Sequence, residues 1–197
     1  MAKPKRGRPP DRPDRRESIM DAALACFVER GFYGTAIPQI ADKAEVAAGT
    51  IYHYFDSKEA LVNALYRSWK QAVAQRVFTA FPQEGPVREQ FRVMWHEMIA
   101  FAMDQPLAFA FIELHNHASY LDDESLAIDR NLKDFARGMI QLAQAQGLLK
   151  PLDASVLMEL VFGAFVGMMR AHYEKRIELS SEIIAKAEEA CWDAVAL

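Results

Sequence analysis

The sequence predicts an all-α protein: an N-terminal three-helix helix-turn-helix unit followed by a larger helical domain. Three observations predict it. After residue 16, apolar residues recur at three- and four-residue spacing through most of the chain. No segment shows the sustained alternation of a half-buried strand. The 22 residues from Gly34 to Phe55 read as two short helices joined by a tight turn, too short to bury a core of their own.

Residues 1–16 are Pro-rich and charged, with nothing to bury, and read as a disordered basic arm. Ile19, Ala22, Ala23, Cys26 and Phe27 then follow helical spacing, and Gly31 ends that helix. Thr35 is a natural N-cap for the second helix, whose first turn accommodates Pro38. Ala41 to Val46 form a turn, and the third helix covers roughly Ala48 to Tyr54. Asp56, with Glu59 three residues on, predicts a capping box for the fourth helix. Leu61, Leu65, Trp69, Val73 and Val77 run down one face of it to about Ala80.

The segment Phe81 to Pro86 breaks the chain. Beyond it, helices are predicted from Val87 to about Met103, from Asp104 with Pro106 in the first turn, and from Asp122 to Gly147 with Leu132, Phe135, Met139 and Leu142 in one stripe. Asp153 caps another that runs to about Arg176, and Ser180 or Ser181 caps the last, whose Ile183, Ile184, Ala187, Ala190, Cys191 and Ala194 form an apolar face. The resulting division is an arm (1–16), a helix-turn-helix domain (17–56), a connecting helix (57–80) and a helical domain (81–197).

The formal charge of −4 conceals an asymmetry. In residues 1–16, seven basic groups face two acidic ones, whereas the chain beyond residue 70 is strongly acidic. A basic head on an acidic body points to a polyanionic partner at one end. The two cysteines lack metal-site or redox spacing and sit in apolar helical rows, as structural thiols. The longest unbroken apolar run, Leu160 to Met169, is about half a membrane span, and the basic start leads into Pro and Asp, not an apolar signal segment. These features place the protein in the cytoplasm without a membrane partner.

The segments IMDAALACFVERGFYGT, IADKA and GTIYHYFDSKEAL resemble the DNA-binding domain of the tetracycline-repressor (TetR) family of bacterial regulators, nearly continuously from Ile19 to Leu65. The resemblance implies that helix two lies across the phosphate backbone and helix three enters the major groove. Thr35 and Gln39 on or before helix two, and Thr50, Tyr52 and His53 on helix three, are then the expected DNA contacts. Lys58 matches a family position that commonly meets phosphate. In the arm, Lys5, Arg6 and Arg8 belong to an Arg-Gly-Arg-Pro sequence of the AT-hook type, suited to a narrow A·T minor groove. Ile40, Ala44, Ile51 and Phe55 read as internal packing. The chain departs from the family where Glu45-Val46-Ala47-Ala48 replaces the usual Gly-Val-Ser-Lys, losing a cap and a cation.

In the C-terminal half the resemblance implies a small-molecule pocket and a homodimer reading a near-palindromic operator. Trp95, Phe101, Phe109, Phe111, Met139, Phe162 and Phe165 supply aromatic and thioether surface for a largely apolar effector, and His117 a polar contact. Glu113 and His117 share a helical face, but two ligands do not make a metal site. No cofactor is expected. Gly163 and Gly167 form a small-residue motif that lets helices approach. No nucleophile–base pair or phosphate loop points to an enzyme. The expected function is a ligand-responsive transcriptional regulator, a repressor released from its operator by the effector. The alternative is a non-specific architectural DNA protein acting through its basic arm.

Overall fold

The computed structural model describes residues 15–117 and 119–197. Its helices are α1 (Arg15–Gly34), α2 (Ile37–Lys43), α3 (Ala48–Tyr54), α4 (Lys58–Ala80), α5 (Val87–Asp104), α6 (Pro106–Phe109), α7 (Asp123–Ala145), α8 (Ala154–Tyr173) and α9 (Ser181–Val195). A π-helical turn, Ala110–Leu114, continues α6, and a lone antiparallel bridge joins Leu149 to Ala196. The chain divides into two compact units at Leu65/Tyr66, within α4 and before the break at residues 81–86. Lys5, Arg6 and Arg8 lie outside the described residues.

In the first unit, α1 buries Ile19, Ala22, Ala23, Cys26 and Phe27. Arg15 and Arg16 belong to α1 and not to the arm. The Arg16 guanidinium lies 5.2 Å from the centre of the Phe55 ring, a cation–π contact that holds it to the folded unit. Gly31 interrupts α1 as expected, with φ 70° and ψ 172°. Two caps differ from the sequence reading. Ala36, not Thr35, caps α2, and its backbone N–H donates to Gln39 Oε1 at 2.9 Å. At α4, Ser57 takes the role assigned to Asp56: its Oγ accepts the Ala60 N–H at 3.0 Å.

In the second unit the caps fall at Asp122, which accepts from Ser125 N, at Asp153, which accepts from Ser155 N, and at Ser180, which accepts from Ile183 N. Helix α8 stops at Tyr173, short of Arg176, because Lys175 turns left-handed (φ 58°) while its N–H bonds His172 O. Trp95, Phe101, Phe109, Phe111, Leu157, Phe165 and Met169 form the core. A pair between Arg88 and the buried Glu188 ties α5 to α9, with the guanidinium 5.2 Å from the Trp192 ring centre.

Helix α8 is long and apolar enough to cross a membrane by length and composition, with a mean hydropathy of 1.5. Its outer face exposes Val156, Leu160, Gly163, Ala164 and Gly167, together with the charged Glu159 and Arg170. Ile183, Ala190 and Ala194 of α9 are also exposed. A Cβ added at Gly163 or Gly167 meets nothing within 4 Å, so packing within this chain does not require glycine at either position.

Candidate nucleic-acid interface and ligand cavity

Helix α3 is pinned from beneath. Ile51 is fully buried, Phe55 nearly so, and Ile40 of α2 is fully buried beside them; Ala44 is half-buried. With Ile51 inward, the helical period turns Tyr52 and His53 outward and leaves Thr50 half-buried at the margin. Tyr52 is 55% exposed, and Tyr54 is also exposed. Gly49 has open space where a Cβ would stand. The result is a short helix with a buried apolar spine and a polar, aromatic outer face.

Three expected contacts have internal work. Thr35 is 2% exposed, and its hydroxyl donates to Gly31 O at 2.8 Å and lies 3.1 Å from Cys26 O. It bonds the backbone where α1 breaks, so its hydroxyl is turned away from any phosphate. Lys58 Nζ donates to Phe32 O at 2.9 Å and Thr35 O at 3.0 Å, 4.2 Å from the centre of the Phe32 ring. It closes the end of α1, and is not a free cation. Gln39 spends its carbonyl oxygen on the Ala36 cap.

The second unit encloses a cavity of about 500 Å³ between α4, α5, α7, α8 and α9. Phe78, Phe81, Phe91, Phe135, Phe162 and Trp192 line it, with Met94, Met98, Met139 and Met158. Aromatic and thioether walls suit a flexible apolar guest. Of the expected lining, Met139 and Phe162 are there. Trp95, Phe101, Phe109, Phe111 and Phe165 are at most 5% exposed and belong to the solid core, because the helices' inward faces pack them against one another. The Trp95 indole N–H has no acceptor among the described residues.

His117 does not line the cavity either. Its Nε2 donates to Phe111 O at 2.5 Å, and Nδ1 accepts from the Tyr120 hydroxyl at 2.8 Å. The Phe111 carbonyl falls in the π-helical turn. Burial lowers the His117 pKa to about 4, so the ring is neutral near pH 7.

One group of cavity residues is charged. Lys70 Nζ is 2.9 Å from Glu113 Oε1 and 3.3 Å from Asp129 Oδ1, and Lys133 Nζ is 2.8 Å from Asp129 Oδ2. Burial opposes the Lys70 charge, but Glu113 and Asp129 hold its pKa above the usual range. Burial raises Glu113 despite Lys70, and raises the Tyr66 hydroxyl to about 12. Neither Lys70 nor Glu113 had any marker of a cavity in the sequence beyond its place on a helix face.

Residues 19–65 match the family model described as bacterial regulatory proteins, tetR family, and residues 66–197 match the tetracyclin repressor-like C-terminal domain. The chain belongs to the TetR family. It is therefore a DNA-binding transcriptional regulator and not an enzyme. The probable acrEF/envCD operon repressor of Escherichia coli K12 is 28% identical over 164 residues, 79% of this chain and 74% of that protein. The transcriptional repressor KstR2 of Rhodococcus jostii is 42% identical over 55 residues, 28% of this chain and 27% of that one. A solved TetR-family regulator from Vibrio parahaemolyticus has a TM-score of 0.75 at 29% identity, covering 93% of this chain and 100% of that chain. One from Marinobacter aquaeolei has a TM-score of 0.83 at 24% identity, covering 92% and 95%, and shows the shared fold.

Within the TetR family pattern, the departure at Glu45 now has a physical meaning. Glu45 has φ 54°, in the left-handed region that favours the glycine common at this turn. Ala47 stands at the N-cap of α3 and offers no side-chain acceptor. This TetR member holds α3 by the buried Ile51 and Phe55 and not by a cap.

Proposed function

We propose that this chain is a ligand-responsive repressor. As a cytoplasmic homodimer it binds a near-palindromic operator, and it leaves the DNA when a small, largely apolar ligand enters the cavity. Thr50, Tyr52 and His53 read the major groove, with Gln39 beside them and Lys5, Arg6 and Arg8 of the arm in the minor groove. The names of the E. coli and R. jostii relatives, both repressors, support the direction of control.

The observation that carries this reading is the double use of α4. It supplies Leu61, Val62 and Leu65 to the core of the first unit, and Tyr66, Lys70, Val73 and Val77 to the cavity wall of the second. A ligand that prefers one position of α4 shifts the population of DNA-binding dimers by that difference in affinity. The exposed apolar strip of α8 and α9 favours the homodimer: charged Glu159 and Arg170 interrupt it, as suits a second protein copy better than a bilayer.

Retention of fragmented genomic DNA by the purified protein, sequenced at moderate and raised salt, tests the reading. A shared near-palindrome supports it, and Tyr52→Ala then abolishes retention. A·T-rich fragments without a common site would overturn it in favour of an architectural role.

A further inference from the structure

We propose that the cavity is built for a cationic amphiphile: a protonated amine on a flexible apolar body, with Glu113 as the partner of the amine. This rests on the reading of the cavity as the effector site, and names the chemistry that the site selects.

The charged groups form an alternating chain, Glu113–Lys70–Asp129–Lys133, with the Tyr66 hydroxyl 3.4 Å from Asp129 Oδ1. The inner members, Lys70 and Asp129, each have opposite charge on both sides. The ends do not. Lys133 has half of its side chain in solvent, where water completes its shell. Glu113 has only 15% of its side chain exposed, and its bond to Lys70 occupies Oε1. Its second oxygen is left for a donor in the cavity that Glu113 lines.

Charge balance points the same way. Among the described lining residues, Glu113 and Asp129 match Lys70 and Lys133, and Glu159, itself exposed on α8, adds the one carboxylate in excess. A carboxylate head at Lys70 would meet an ammonium already paired with Glu113 and Asp129, in surroundings where unpaired charge is costly. A protonated amine meets the open side of Glu113 instead. The aromatic walls add to this preference, because ring faces attract cations and repel anions.

The walls also set the shape of the guest. Along α4, Lys70 to Phe78 spans about 12 Å, and along α7, Asp129 to Ala143 spans about 21 Å. Both stretches face the cavity, and beyond the charged chain their lining residues are all apolar. An elongated tail fits that profile.

The test uses the full-length protein and three guests of one tail length: decylamine, decanol and decanoate, each below its micelle concentration at neutral pH. Each displaces a neutral naphthylamine dye, with intrinsic tryptophan emission as a second readout. The expected result is that decylamine displaces the dye at a concentration roughly tenfold below decanoate. Glu113→Gln should erase that difference and leave decanol unchanged. Decanoate equal to or better than decylamine would overturn the proposal, as would a preference that survives Glu113→Gln. The wild-type comparison stands even if that variant fails to fold. If neither the dye nor any guest binds, the effector-site reading itself falls.

Discussion

Lys58 Nζ lies 2.9 Å from the carbonyl oxygen of Phe32 and 4.2 Å from the centre of the Phe32 ring. One side chain therefore ends α1, through charge-assisted bonds to two carbonyls, and packs over the buried Phe32 ring. Lys58→Met should lower stability by about 1.5–3 kcal/mol, the range for hydrogen bonds to a charged group. The salt slope of operator binding should stay unchanged in that variant, whereas losing a phosphate contact would lower it by about one. Urea unfolding and salt titration separate the two roles.

Glu45→Gly should stabilise the first unit by about 1 kcal/mol, because it relieves a left-handed residue. Removing a carboxylate beside the reading helix should also tighten operator binding. Denaturation midpoints and band-shift titrations measure the two effects independently.

Tyr52 and Ile51 are neighbours with opposite duties. Tyr52→Ala, on an exposed side chain, should change stability by less than about 0.5 kcal/mol and severely weaken operator binding. Ile51→Ala should cost about 2–5 kcal/mol by opening a cavity under α3. A folded, DNA-binding Tyr52→Ala protein would remove Tyr52 from the reading face.

His117 should make stability depend on pH. Its pKa falls from 6.5 to about 4 on folding, so between those values the unfolded chain binds more protons. The contribution is complete above pH 6.5 and is lost as pH falls through about 4. His117→Gln should flatten the pH dependence of the thermal midpoint across this window.

Leu160, 51% exposed on α8, tests the two-fold interface. Leu160→Lys should shift the sedimenting species from dimer to monomer while leaving the helical content intact. A variant that stays dimeric would move the interface elsewhere.

The sequence by itself determined where helices stand and what kind of reader they build. Local rules suffice for that: apolar spacing for α1 and α4, Gly31 for the break, Asp153 and Ser180 or Ser181 for the caps, and the Ala48–Tyr54 span of α3. Tertiary structure decided what each polar or aromatic side chain does. Thr35 and Lys58 look like phosphate contacts along the chain, yet both close the end of α1, a target 4 to 26 residues away. Phe109, Phe111 and Phe165 have the same composition signal as Phe78, Phe91 and Phe162, but only the latter face the cavity. Which aromatic lines a space and which fills it depends on how several helices pack, and on the gap that their side chains leave. The meeting of Lys70, Glu113 and Asp129 has the same origin: three helical segments far apart in sequence bring together charges that no local pattern links.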